Sequence, residues 1–432
     1  MDLLTANDKI GEYPSSYYAW NSMLLPPFEI AKGELKFDVC IVGAGYTGLS
    51  AAIHLAEKGY KVIVLEAQRV GFGASGRNGG QVGTGQRVNQ MDLESLVGND
   101  HAHRLWDISL EAVELVKSLS NDMPNCTFQN GIVNASHKKS IVSGEHHYVD
   151  HLKKYYNYKK IQKLNKEELQ NIINTEAYFG GSLDTGSGHI DPLNFVLGLA
   201  KKAHFAGVKI FEKTRALEIL QGSSTVIKTP QSKVTANYVI FACNGYQGAI
   251  NKKNSNWVMP INNFIVATRQ MSEIEQERLI KNNYAVADTK FIVNYFRFSK
   301  DRRLLFGGSE SYGYKFPKNI EEKVRKPMLN IFPQLKDVKI DFSWGGTLGI
   351  TMNRMPYFSK VDKNIISASG YSGHGVAMAT MGGKLAAMAI SGQAEKFDLM
   401  AKVPTPKFPG GGSFQKPLLV LAMLWFSLRD KL

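Results

Sequence analysis

Apolar positions along the 432-residue chain recur with two different periods, and the switch between them is sharpest in the stretch 37–85. The run from Asp38 to Val42 is short and rich in β-branched residues, which predicts a buried strand. Gly43, Gly45 and Gly48 follow at once, and from Tyr46 the spacing becomes helical, with Leu49, Ala52, Ile53 and Ala56 on one face. Gly59 stands where a left-handed residue would end that helix. A second strand is predicted over Lys61–Leu65, and it delivers Glu66.

The rest of the chain divides into two kinds of pattern. Apolar spacing from Asp92 to Leu119 predicts one helix, and Asp191 with Pro192 predicts the cap and first turn of another, over Asn194–Ala203. Gly207–Ile210 and Val234–Ala242 read as strands. Phe291–Phe298 and Leu304–Gly308 flank the polar turn Ser299–Arg303 as an antiparallel hairpin. Ile365–Ala368 predicts a strand, Gly370–Gly375 a glycine-rich turn, and Val376–Ile390 a helix. Residues 1–35 have no clear period and predict an extended arm that buries its aromatic rings.

A chain this long exceeds one hydrophobic core. The expected organisation is the arm 1–35, a nucleotide-binding α/β domain assembled from 36–90, 188–257 and 342–395, an antiparallel α+β substrate domain from 91–187 and 258–341, and a tail 396–432. Lys and Arg number 52 against 38 Asp and Glu, a net charge of +14. The most basic stretch, His151–Lys166, runs into KEELQ and reads as a solvated, partly helical face, so no nucleic-acid partner is expected. Cys40, Cys126 and Cys243 share no CxxC spacing and no histidine cluster, which predicts neither a disulfide framework nor a metal site. Together with the lack of a secretory signal pattern at the N-terminus, this gives a cytoplasmic expectation. The apolar run Pro417–Leu428 is too short to span a bilayer. Flanked by Lys416, Arg429 and Lys431, it is expected to pack on the body or to touch a membrane surface peripherally.

The order strand, glycine turn, helix, strand and terminal acid has a chemical meaning. Gly43 permits the turn, Gly45 lets the backbone approach a pyrophosphate, Gly48 lets helix and strand pack closely, and Tyr46 and Thr47 open a helix whose free N–H groups suit phosphate. Glu66, with Ala67 beside it, stands where a carboxylate accepts bonds from an adenosine ribose. The glycine-dense loop Val70–Gly85 then argues for FAD over a nicotinamide cofactor. Its backbone around Ala74, Gly79 and Gly80 can lie against pyrophosphate and ring while Ser75, Arg77, Asn78 and Gln81 supply bonds. Cys243, Asn244 and Gly245 end a buried strand in a small-residue turn suited to closing over a nucleotide. Ala216 and Gly346 complete the expected cofactor wall. Gly373, His374, Gly375 and Val376 form a second helix start inside a glycine loop, suited to the charge on a reduced flavin. His374 is the titratable group placed to tune that charge; His189, alone in a turn, is expected to be structural. Tyr295, Phe296 and Tyr371 are expected to face substrate, with Arg354 and Trp344 bordering the pocket.

At SYYAW, GAGYTGLSAAIHLAEKG, GASGRNGGQ, YVIFACNGY, RRLLFGG, WGGTLGITMNRMPYF and SGYSGHGVA the chain resembles the D-amino-acid-oxidase-like FAD-dependent oxidoreductases over nearly its whole length. The resemblance implies a glutathione-reductase-type, Rossmann-like FAD domain interleaved with a substrate domain. It also implies oxidation of an amine C–N bond by hydride transfer to flavin, with oxygen or a quinone as acceptor. Sarcosine oxidases of this family carry a carboxylate-binding lysine where this chain has Ala377, and no arginine stands nearby as in glycine oxidases. The resemblance therefore implies an amine whose anionic part lies further out, such as γ-glutamylputrescine or a related acylated polyamine. A sarcosine-like oxidase and a non-catalytic flavin-binding protein remain the alternatives. No cysteine stands in Gly346–Pro356 and no histidine in Gly73–Gly80, which implies noncovalent FAD.

Overall fold

In the computed structural model, which describes residues 2–251 and 254–409, the strand expected at Asp38 begins earlier, and Gly33–Val42 runs through the middle of a mixed sheet. Its apolar run is continuous because both faces are covered. Val39, Ile41, Val64 and Ile240 enter one buried cluster, while Cys40, Val42, Ile63, Leu65, Val239 and Phe241 enter another on the opposite face. Full burial of each such side chain stabilises the fold by about 1.5–3 kcal/mol. Val42 pairs in parallel with Leu65 on one side and Phe241 on the other, so three strands finish level at their carboxyl ends. Lys209–Phe211 and Ile365–Ser369 extend the parallel set on either side, and Tyr357–Asp362 closes one edge antiparallel.

The second sheet runs Ile340–Ile350, Met259–Thr268, Leu304–Ser311, Tyr295–Phe298, Ala285–Asp288, Gln129–Ala135, Gly181–His189 and Gln81–Val82. All its pairings are antiparallel except that of Ala285–Asp288 with Gln129–Ala135. Helix Ile320–Ile331 covers one face, where Phe264, Phe296, Phe306, Val324 and Met328 are buried together. Residue 342 lies inside a strand of this second sheet, and Gln81–Val82 joins it from the glycine loop.

Several local expectations change. The helix expected over Asp92 to Leu119 is two, Gln90–Val97 and Asn99–Ser120, broken at Gly98 whose φ of +85° favours glycine. The first hairpin strand begins at Tyr295 and not at Phe291, because the Asp288 carboxylate accepts the N–H groups of Lys290 and Asn294 and holds the preceding segment as a loop. The arm is not wholly extended: Ser16 caps a short helix, Tyr17–Asn21, that buries Tyr17 and Tyr18. The basic stretch leaves helix Lys139–Tyr155 and continues as strand Ile161–Leu164. Asp191 caps helix Pro192–Phe205 by accepting the Asn194 N–H at 2.8 Å, as its spacing predicts. The apolar run Pro417–Leu428 lies outside the described residues, and among these no helix is long and apolar enough to cross a membrane.

Candidate active site

Helices Tyr46–Ala56 and Gly375–Ile390 lie against each other, and Gly383 makes the approach possible: a Cβ there would fall 2.2 Å from the Thr47 carbonyl oxygen. The Thr47 hydroxyl and the Tyr371 hydroxyl share a hydrogen bond of 2.7 Å near their N-terminal ends. Both helix starts border one cavity of about 1700 Å³. Helix N-termini carry unsatisfied N–H groups and partial positive charge, so this wall suits anionic ligand atoms.

The cavity opens at the level carboxyl ends of the central strands. Gly43 has a φ of +107°, and a Cβ on it would meet the Ala242 carbonyl oxygen at 2.8 Å. At Gly45 a Cβ would meet Ser75 Oγ at 2.8 Å. Ser75 Oγ in turn accepts the Tyr46 N–H at 3.1 Å, joining the glycine loop to the first helix. Glu66 Oε2 accepts the Ala44 N–H at 2.8 Å and Oε1 accepts that of Gln68 at 2.9 Å. Burial raises the Glu66 pKa to about 7 against the pull of those N–H groups.

Ala67, Ala216, Cys243, Asn244 and Gly245 join Glu66 on the wall, and so do Thr47, Ala74, Asn78, Gly79, Gln81 and Gly346. Asn78 is committed to the loop: its Nδ2 donates to the Ala74 and Ser75 carbonyls, and its Oδ1 accepts the Gly80 N–H at 2.7 Å. Arg77 is fixed through Nε to the Phe72 carbonyl at 2.7 Å and by an ion pair with Asp8 at 3.0 Å, while its Nη2 is buried without a partner. This orphaned donor, the tight glycine turn and the acid at Glu66 fit FAD: Arg77 and the two helix starts suit its anionic parts, and Glu66 a ribose.

The second glycine loop brings Gly373, His374, Gly375 and Val376 to the same cavity, with Tyr371, Tyr295 and Arg354. His374 Nε2 donates to the Gly85 carbonyl at 3.0 Å. Burial first, and the nearby Arg87 second, lower its pKa to about 4, so its ring is neutral at physiological pH. The Tyr295 hydroxyl donates to Asn263 Oδ1 at 2.5 Å.

Four of the expected site residues, Gly48, Gly80, Trp344 and Phe296, stand away from the cavity wall. Gly48 lies beneath the first helix, where a Cβ would fall 1.9 Å from the Gly43 carbonyl oxygen. Gly80, at φ +76°, shapes the loop and accepts the Ile190 N–H at 2.9 Å. The Trp344 indole N–H donates to the Arg77 carbonyl at 3.0 Å and its ring meets Tyr18 edge-on, so it braces the loop from behind. Phe296 points to the opposite face from its neighbour Tyr295, as strand alternation requires, and stacks on Phe306 at 5.3 Å. Ala377 is buried in the core and lines nothing, so the substrate has to be argued from other residues. His189 is buried and hydrogen-bonded to the Asn283 carbonyl at 2.8 Å, a structural role.

Arg87, Asn263 and Glu310 also line the cavity, and the sequence reading did not select them. Glu310 carried a signal: it is a lone acid at the end of the strand LLFGGSES. Arg87 carried a weaker one, as the second cation after Arg77 in the extension of the glycine loop.

The family described as FAD dependent oxidoreductase (DAO) matches residues 38–389. The chain is 39% identical over 419 residues to a probable oxidoreductase, OrdL, of Rhizobium meliloti, covering 96% of this chain and 97% of that protein. It is 37% identical over 424 residues to the γ-glutamylputrescine oxidoreductase of Escherichia coli, covering 98% and 99%. Among solved structures, glycine oxidase from Geobacillus kaustophilus superposes with a TM-score of 0.72 at 19% identity, over 86% of this chain and 99% of that one, which shows a shared fold. The chain belongs to the FAD-dependent oxidoreductases of the DAO family.

Proposed function

We propose that the protein oxidises the primary amine end of γ-glutamylputrescine or a related acylated polyamine. The observation that carries this reading is the similarity to the Escherichia coli γ-glutamylputrescine oxidoreductase across nearly all of both chains. FAD, which the glycine turn at Gly43 and Gly45, Glu66 and Arg77 would hold, would supply a two-electron acceptor for the hydride lost from the carbon beside the amine. The amine leaves as an imine that water hydrolyses to an aldehyde and ammonia. In an oxidase, the two electrons pass on to oxygen and give hydrogen peroxide.

The protein's own part is binding and exclusion of water. Tyr295, braced by Asn263, and Tyr371, braced by Thr47, present fixed aromatic walls to an apolar polyamine chain. A buried cavity favours the uncharged form of an amine, which is the form able to give up hydride. His374, neutral and donating to the Gly85 carbonyl, holds the second glycine loop against the first. The cofactor is proposed to be noncovalent, and the protein cytoplasmic. Acid precipitation is expected to leave flavin in the supernatant; flavin retained in the pellet refutes noncovalent attachment.

A peroxide assay across an amine panel tests the substrate. Turnover of γ-glutamylputrescine well above that of sarcosine and glycine is expected. Oxidation of sarcosine or glycine with no response to γ-glutamylputrescine overturns the reading, and reduction of a quinone analogue in place of oxygen identifies the other acceptor.

A further inference from the structure

Two guanidiniums border the cavity without an anionic protein partner among the described residues. Neither the Arg87 nor the Arg354 side chain makes a hydrogen bond or an ion pair with any described residue, although both line the wall. A guanidinium sheltered from bulk water and left unpaired is costly unless an anion comes to it. Burial first, and repulsion from Arg354 second, lower the Arg87 pKa to about 10. Arg354 has a φ of +65°, and its guanidinium lies over the Phe291 ring at 5.2 Å.

A carboxylate, Glu310, lines the same cavity. Glu310 lies on the second sheet opposite Asn263, and among the described residues its carboxylate accepts one long hydrogen bond, 3.4 Å, from the Tyr312 hydroxyl. Tyr312 and Phe291, the ring under the Arg354 guanidinium, pack against one apolar cluster, which brings the Glu310 and Arg354 segments together. Burial raises the Glu310 pKa, and the Arg354 and Arg87 charges oppose that rise. Among the described residues no ion pair within 4 Å joins Glu310 to either arginine, and all three side chains line the cavity.

We propose that Arg87, Arg354 and Glu310 together form the receptor for the amino-acid head of a γ-glutamyl amine, with the α-carboxylate on the two guanidiniums and the α-ammonium on Glu310. The inference rests on the acylated-polyamine reading above and names the residues that choose among such amines. A γ-glutamyl group carries one anion and one cation on the same carbon, which matches a pair of cations facing one anion. Planar guanidiniums suit carboxylates in particular because their N–H groups match the two oxygens. The three residues act on selectivity, since the head they hold is remote from the carbon that is oxidised.

The test uses the flavin-loaded enzyme with Arg87→Gln, Arg354→Gln and Glu310→Gln. Three substrates are compared: γ-glutamylputrescine, its glutaryl analogue lacking the α-amino group, and N-acetylputrescine, which lacks the head entirely. Binding is read independently through the change in flavin absorbance and through anaerobic bleaching. Each arginine substitution is expected to raise KM for γ-glutamylputrescine about tenfold or more, with a smaller change in kcat. The preference for γ-glutamylputrescine over N-acetylputrescine falls by the same factor. Glu310→Gln is expected to weaken γ-glutamylputrescine but to spare the glutaryl analogue. N-acetylputrescine turnover and flavin content report folding; if Arg87→Gln cannot hold flavin, Arg354→Gln on its loop carries the test. Equal losses on γ-glutamylputrescine and N-acetylputrescine, or no loss on either, overturn this inference alone. Wild-type enzyme that leaves γ-glutamylputrescine unoxidised overturns the substrate reading and the inference with it.

Discussion

Glu66 Oε2 accepts the Ala44 N–H at 2.8 Å, so the acid at the end of the second strand is tied to the glycine turn that leaves the first. Burial raises its pKa to about 7. A carboxyl whose folded pKa is raised contributes stability below its ordinary value of 4.5, and this is lost as pH rises through about 7. The ionised form accepts bonds from ribose hydroxyls more strongly than the acid does, and it is about one tenth populated at pH 6 and nine tenths at pH 8 for a pKa of about 7. FAD is therefore expected to bind the apoprotein about tenfold more weakly at pH 6 than at pH 8. Fluorescence titration of stripped protein measures this, and in Glu66→Gln the pH dependence should vanish along with part of the affinity.

Arg69 and Glu212 form a buried ion pair of 2.8 Å, and Glu212 also accepts the N–H groups of Val70 at 2.7 Å and Phe28 at 3.0 Å. One carboxylate thus pins the arm and the start of the glycine loop to the strand Lys209–Phe211. Glu212→Ala leaves the Arg69 charge buried, at an expected cost of about 3–5 kcal/mol. Thermal unfolding of the holoenzyme checks this. Replacing both partners by apolar residues should recover part of the loss, because no uncompensated charge then remains.

His374 changes charge in the opposite sense to Glu66. Its folded pKa, about 4, lies below the ordinary value of 6.5, so the stability it contributes is present above pH 6.5 and is lost as pH falls from there towards 4. His189, buried and lowered to about 3 by burial and Arg297, adds to the same slope. The melting temperature is expected to drop between pH 6.5 and 4.5, with a shallower drop in His374→Gln. The pH profile of kcat/KM should show no break from His374 between pH 6 and 9. A break in that range which disappears in His374→Gln would contradict a neutral structural role.

Local patterns were the most legible part of the sequence. Gly43, Gly45 and Glu66 are close in sequence and act through backbone geometry, so their spacing alone located one end of the cavity. The Asp191 cap and the helix starting at Gly375 were equally local. What the pattern could not give was the far side of the cavity. Arg87, Asn263 and Glu310 reach it from segments whose proximity depends on the pairing of Met259–Thr268 with Leu304–Ser311 and on the path of the glycine loop. Trp344 shows the converse difficulty, for its strand lies beside the loop but its ring turns behind it, towards Tyr18. Phe296 was decidable in principle, because adjacent strand residues face opposite sides and Tyr295 had already been assigned to the pocket.

That alternation gives the last prediction. Tyr295 lines the cavity with its hydroxyl on Asn263 at 2.5 Å, whereas Phe296 stacks on Phe306 and meets Phe332 edge-on at 5.2 Å, almost fully buried. Phe296→Ala removes a large side chain from a closed core and is expected to cost about 3–5 kcal/mol of stability. Since the Phe296 side chain does not line the cavity, KM of the folded fraction should change little. Tyr295→Phe removes only the hydroxyl and leaves the Asn263 carboxamide free to turn within the cavity, so a fall in kcat/KM is expected with a stability change of about 1 kcal/mol or less. Melting curves and steady-state kinetics on the two variants separate the effects. The assignment of the two faces fails if Phe296→Ala alters KM while Tyr295→Phe alters only the melting temperature.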